Sequence, residues 1–89
     1  MPADRAKEAH NDTTRLFGER VRERRQELGL SQEAAADRID IHWSALGKIE
    51  RGQRSLRLET ILKIAAGLDI DAGKLISGLP LAEGSSSTD

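Results

Sequence analysis

Between residues 13 and 79 the large apolar side chains recur at helical spacing in five short blocks, and outside that stretch they are almost absent. In the first block Leu16, Phe17, Val21 and Leu28 fall on one side, with Arg and Glu filling the rest. That pattern predicts a helix from about residue 13 to Leu28, capped by Asp12 or Thr13. Gly29 follows, where a left-handed C-terminal cap belongs. Ser31 suits the N-cap of a second helix, Gln32 to about Arg38, whose inner face is small, Ala35 and Ala36. The segment Ile39-Asp40-Ile41 interrupts it. A third helix is predicted from Trp43 to about Arg51, with His42 or Ile41 before it, Gly52 after it, and Leu46 and Ile49 on one face. Beyond a loop over 53–57, Leu58, Ile61, Leu62 and Ala65 make a broad apolar stripe on a fourth helix, Leu58–Ala66, closed by Gly67. Asp71 is expected to cap a short fifth helix that presents Leu75 and Ile76 and ends near Gly78-Leu79-Pro80. No segment alternates apolar and polar residues with period two, so the expected fold class is all-α, with five short helices joined by short loops.

The flanks read differently. Residues 1–12 are charged and nearly without large apolar side chains, and are expected to form a flexible arm containing a solvent-exposed His10. Residues 80–89, with Gly84-Ser85-Ser86-Ser87, are expected to be a disordered tail. The domain is therefore placed at residues 13–79. Its size allows only a modest core. There is no cysteine, which removes disulfides and thiolate chemistry and fits a reducing compartment. No apolar run approaches the roughly 20 residues of a membrane span, and the opening MPADRAKEAHNDTT lacks the apolar stretch of a secretory signal. The expectation is a soluble, cytoplasmic protein with no membrane contact.

Charge alters the picture more than composition does. The formal net charge is −1, which argues against a polyanionic partner until its distribution is considered. From Arg15 to Lys63 there are eleven Lys and Arg against eight Asp and Glu, a local balance of +3, whereas both flanks are acidic. An enzyme is not indicated. The two histidines, His10 and His42, are far apart, no glycine-rich phosphate loop or metal-ligand cluster is present, and no cofactor is expected.

The informative stretch is Gln32 to Ile49. Two short helices joined by a tight turn need small residues where they cross and a turn residue that tolerates a left-handed backbone. Ala36 answers the first need and Asp40 the second, while Leu46 and Ile49 anchor the second of the two helices. The segment SQEAAADRIDIHWSALGKIERG, followed by SLRLETILKIAAGL, resembles the Cro and phage-repressor type of helix-turn-helix, the xenobiotic-response-element family. The likeness covers roughly residues 15–79 and rests on Leu28-Gly29-Leu30-Ser31-Gln32, Glu50-Arg51-Gly52 and Leu58-Glu59-Thr60 in that order and spacing. It departs from the family in having Asp40 where Gly is usual and Leu56 where Pro is frequent. Asp40 costs little; Leu56 alters the loop or exposes an apolar side chain to a partner.

The resemblance implies a transcriptional regulator, in the expected case a repressor, that binds double-stranded DNA at a palindromic operator as a homodimer. The third helix would enter the major groove with its N-terminal residues toward base edges. On that reading Trp43, Ser44 and Lys48 contact bases, Lys48 as a donor to guanine, Ser44 to several bases, and Trp43 through apolar contact. Gln32, His42, Arg51 and Arg54 contact the phosphate backbone and set register. The resemblance also places a buried ion pair at Arg25 and Glu50. Other readings stay open at single positions. Trp43 could pack on its own protein, His42 could serve only as an N-cap, and Gly47 either allows close approach to DNA or has no role there. The other arginines of the first helix, Arg20, Arg22 and Arg24, read as a solvated face. Leu75, Ile76 and Leu79 close the core, form a dimer contact, or do both. The alternative class is a protein-interaction module, or an antitoxin-type protein, that keeps this fold and acts through a protein partner.

Overall fold

The computed structural model describes residues 9–81 and contains five helices among them: α1 Asp12–Glu27, α2 Gln32–Ile39, α3 Trp43–Glu50, α4 Leu58–Gly67 and α5 Ala72–Ile76. They pack around one core made by Phe17 and Val21 of α1, Ala35, Ala36 and Ile39 of α2, Leu46 and Ile49 of α3, Ile64 and Ala65 of α4, then Leu68, and Leu75 of α5. Every helix gives one face to that centre, which is how so short a chain assembles a shared apolar interior.

The first helix starts one cap earlier than its apolar pattern indicates. Asn11, not Asp12 or Thr13, is the N-cap: its side chain accepts from the Thr14 N–H at 2.9 Å, and the Thr14 hydroxyl accepts from the Asn11 N–H at 3.2 Å. This reciprocal box satisfies two of the helix's orphan donors. Just before it, the exposed His10 donates its backbone N–H to the Gly52 carbonyl at 2.6 Å. His10 and Asn11 thus join the folded unit rather than an arm, and at the other end the Pro80 carbonyl accepts from the Thr13 hydroxyl. The remainder of the expected arm and tail, residues 1–8 and 82–89, lies outside the described residues.

The α2–α3 turn forms as its residue types direct. Ser31 caps α2 by accepting from the Ala34 N–H at 3.0 Å, and Asp40 takes the left-handed conformation, φ 71° and ψ 49°. The Asp40 carbonyl is held by Lys63 Nζ at 3.1 Å, which ties the turn to α4.

One expectation for α4 needs correction. Its buried side is Ile64 and Ala65 with Ile61 partly covered, whereas Leu58 and Leu62 are 68% and 52% exposed. Ile61 and Ala65 belong to the expected stripe, but the buried face is centred on Ile64 and Leu68 rather than on Leu58 and Leu62. Gly67 closes α4 as expected, as its last residue, and Asp69 supplies the positive φ, 54°. Gly67 is small because α2 lies against it: a Cβ there would stand 2.7 Å from Ile39 Cγ1. Asp71 is the N-cap residue of α5 but makes no side-chain capping hydrogen bond. In α5 Leu75 is buried, and Ile76 is 44% exposed.

The arginines of α1 also have more to do than coat a helix. Arg20 Nη1 donates to the carbonyls of Leu75 and Ser77 at 3.1 and 2.7 Å, at the end of α5. Arg24 donates to those of Leu68 and Asp69 at 2.9 and 2.8 Å, at the end of α4. Each guanidinium answers the unpaired carbonyls that a helix C-terminus leaves behind.

Candidate nucleic-acid interface

The third helix is seated from behind. Leu46, Ile49 and Glu50 are buried, and α1 crosses their backbone at Gly18. A Cβ on Gly18 would lie 2.3 Å from the Ile49 carbonyl oxygen and 2.6 Å from that of Glu50, so only glycine permits this approach. The crossing glycine was not singled out from the sequence. Its signal was available, since glycine inside a helix costs about 1 kcal/mol relative to alanine and so needs a packing reason.

Beneath the C-terminal end of α3 sits a polar cluster. Arg25 holds Glu50 through two parallel bonds, Nε to Oε2 at 2.6 Å and Nη2 to Oε1 at 3.1 Å. The two side chains are 13% and 3% exposed. Arg25 Nη1 donates further to the Leu30 carbonyl at 2.9 Å, and Gln32 Nε2 donates to Glu50 Oε1 at 3.0 Å. The buried carboxylate therefore accepts from two side chains, and among the described residues no buried side-chain polar atom lacks a partner. Gln32 turns one amide hydrogen inward to this cluster, a bond the sequence did not suggest.

The same helix leaves its other side open. Trp43 is 52% exposed rather than packed into the core, and Ser44 and Lys48 are exposed beside it. His42, also exposed, is the N-cap of α3: its Nδ1 accepts from the Ser44 N–H at 3.1 Å and stands 2.8 Å from Ser44 Oγ. Its ring stacks on Trp43, with centroids 5.7 Å apart and planes inclined by 29°. Gly47 does not present bare backbone, because Arg51 Nη1 lies 3.2 Å from where its Cβ would be. Arg51 and Arg54 follow on the exposed surface past the helix end, and among the described residues the Arg51 side chain makes only a long bond of 3.4 Å to Gln53. The side chains of Lys48 and Arg54 form no hydrogen bond or ion pair among the described residues. On α2, by contrast, Glu33 and Asp37 are exposed and line the groove shared with His42 and Trp43. Positive charge suited to phosphate thus gathers at and beyond α3 rather than along α2.

The loop that carries Arg51 and Arg54 is pinned at its start. Gly52 adopts φ 72°, and its Cβ would meet Arg15 Cα at 2.6 Å. Its carbonyl accepts from both the Thr14 hydroxyl, at 2.8 Å, and the His10 N–H. Leu56, farther along, is partly buried against the core rather than displayed to solvent. Among the described residues, no helix is long and apolar enough to cross a membrane, and no group of three or more His, Cys, Asp or Glu side chains is placed to hold a metal.

Comparison with known proteins agrees with this geometry. The helix-turn-helix family model HTH_3 matches residues 21–75. The control protein C.MunI of a Mycoplasma species is 36% identical over 70 residues, which span 78% of this chain and 95% of that protein. The restriction-modification controller protein C.AhdI of Aeromonas hydrophila superposes with a TM-score of 0.67 at 45% identity, covering 72% of this chain and 91% of that one. The P22 c2 repressor, solved in complex with a synthetic operator, gives a TM-score of 0.66 at 29% identity over 73% of this chain and 98% of its own. With α2 and α3 arranged about the left-handed Asp40 and the family model spanning most of the folded unit, the chain belongs to the HTH_3 helix-turn-helix family of DNA-binding transcriptional regulators, the Cro and phage-repressor type.

Proposed function

We propose that this regulator is a cytoplasmic, homodimeric repressor, without enzymatic activity or cofactor, that reads a palindromic operator by laying the exposed face of α3 in the major groove. The observation that carries the proposal is the division of α3: Leu46, Ile49 and Glu50 are locked into the domain while Trp43, Ser44 and Lys48 are left to solvent. An eight-residue helix fixed on one side and furnished with a donor, a hydroxyl and an aromatic edge on the other suits a groove that displays donors, acceptors and thymine methyls.

In this reading Lys48, Ser44 and Trp43 meet bases, with Trp43 in apolar contact. Arg51, Arg54, His42 and the second amide hydrogen of Gln32 meet phosphate oxygens and set register. The exposed apolar side chains Leu58, Leu62, Ile76 and Leu81 supply surface for a second copy. Likeness to a restriction-modification controller and to an operator-bound repressor supports the operator as partner. The protein-interaction alternative loses one of its supports, because Leu56 is packed rather than offered.

Selection from random duplex DNA at moderate salt, followed by sequencing of the bound pool, tests this. The expected result is an enriched inverted repeat with half-sites about one helical turn, roughly 34 Å, apart, whose affinity falls steeply with salt through counterion release. An unenriched pool from folded protein would overturn it.

A further inference from the structure

We propose that His42 and Ser44 act as a polarised pair, in which the helix cap makes Ser44 Oγ a hydrogen-bond acceptor toward the duplex. The base pair facing Ser44 is then read through an exocyclic amine, adenine N6 or cytosine N4. This rests on the reading of the groove by α3 and adds a direction to one of its contacts.

The reasoning follows hydrogens. A backbone N–H can only donate, so the Ser44 N–H at 3.1 Å from His42 Nδ1 requires a lone pair on that nitrogen. The ring hydrogen therefore sits on Nε2, the nitrogen not used by the cap, and gives the exposed ring a donor suited to a phosphate oxygen. Ser44 Oγ stands 2.8 Å from the same Nδ1. Two lone pairs do not attract at that distance, so the Ser44 hydroxyl hydrogen is directed at Nδ1 as well. A hydroxyl has one hydrogen and two lone pairs; with the hydrogen engaged, Ser44 offers only lone pairs outward.

Ring orientation is held twice over. Flipping the imidazole would place a carbon at the cap and forfeit its hydrogen bond, and the ring is stacked on Trp43. Among the described residues Ser44 Oγ makes no other hydrogen bond, and the residue is exposed. In the major groove guanine O6 and N7, adenine N7 and thymine O4 are acceptors, whereas adenine N6 and cytosine N4 donate. An acceptor-only hydroxyl is matched to the second group.

The test uses the operator recovered by selection and the full chain. Ser44→Ala identifies the facing pair as the one whose preference is lost. At that pair the amine is removed, with purine replacing adenine or 2-pyrimidinone replacing cytosine, or the purine N7 is replaced by a carbon. Wild type is expected to lose about tenfold in affinity on amine removal, the scale of one hydrogen bond left unmade, and to tolerate the N7 change. Ser44→Ala should be indifferent to both. His42→Ala, which frees the hydroxyl to donate, should reduce sensitivity to the amine, and His42→Asn, whose Oδ1 can accept the same bonds, should restore it. Sensitivity to N7 instead of the amine, no pair assigned by Ser44→Ala, or amine dependence unchanged in His42→Ala would each overturn the polarised pair alone. An unenriched pool from folded protein would overturn groove reading by α3 and this proposal with it.

Discussion

The two sides of α3 obey opposite rules. On the inner side Leu46 and Ile49 are buried, Glu50 is held by Arg25 and Gln32, and the backbone touches α1 at Gly18. On the outer side Trp43, Ser44 and Lys48 are exposed, and Lys48 is without a partner among the described residues. The inner side is where free energy of folding concentrates, and the outer side is left unspent for a ligand. A helix held mainly from behind can serve as a reading head, because exposed side chains such as Trp43 and Lys48 can vary at little cost to the fold. The comparison predicts that substitutions behind α3 act on stability and those in front act on binding.

The largest effect is expected from Glu50→Ala. Removing the carboxylate strands the guanidinium of Arg25, at a cost of roughly 3–5 kcal/mol for a buried pair. For a domain of this size each kcal/mol corresponds to about 4–8 °C in melting temperature, so thermal denaturation should show an unfolded or barely folded protein. An unchanged melting temperature would contradict the structural role of the cluster. Next comes Gly18→Ala, which drives a Cβ into the Ile49 and Glu50 carbonyls. Backbone cannot yield as a flexible side chain does, and destabilisation of about 1–3 kcal/mol is expected by chemical denaturation.

Smaller effects sharpen the same contrast. Gly47→Ala meets only the end of the Arg51 side chain. That flexible group can move aside, so the helix-propensity gain should prevail and the domain should gain up to about 1 kcal/mol, read as a raised denaturation midpoint. Trp43→Ala should change stability least, within about 0.5 kcal/mol, despite removing the largest side chain in the sequence. A large loss there would mean that Trp43 belongs to the inner side after all.

Much of this arrangement was legible in the sequence because its causes are local. Ser31 as a cap, Asp40 in the left-handed region and the Leu46–Ile49 face are consequences of residue type and spacing. The outward-facing positions on α3, and Arg25 with Glu50, came from the family likeness. What the sequence hid depends on distant partners. Arg20 and Arg24 look like surface charge until α4 and α5 bring their carbonyl ends alongside. Gly18 and Gly67 owe their identity to helices crossing from elsewhere in the chain. Periodicity alone does not tell which edge of the α4 stripe meets the core, and Leu58 and Leu62 fall on the edge that the other helices leave uncovered. Gln32 shows the same limit, since its inward bond depends on where Glu50 arrives.

The most direct test of the division within α3 is to run the random-duplex selection on wild type, Lys48→Ala and Arg51→Ala side by side. The expected outcome is an inverted repeat for wild type, the same repeat with preference relaxed at one position per half-site for Lys48→Ala, and unchanged preference with uniformly weaker binding for Arg51→Ala. If Lys48→Ala selects the wild-type repeat, or if both variants change preference in the same way, the outer face of α3 is not what reads the sequence.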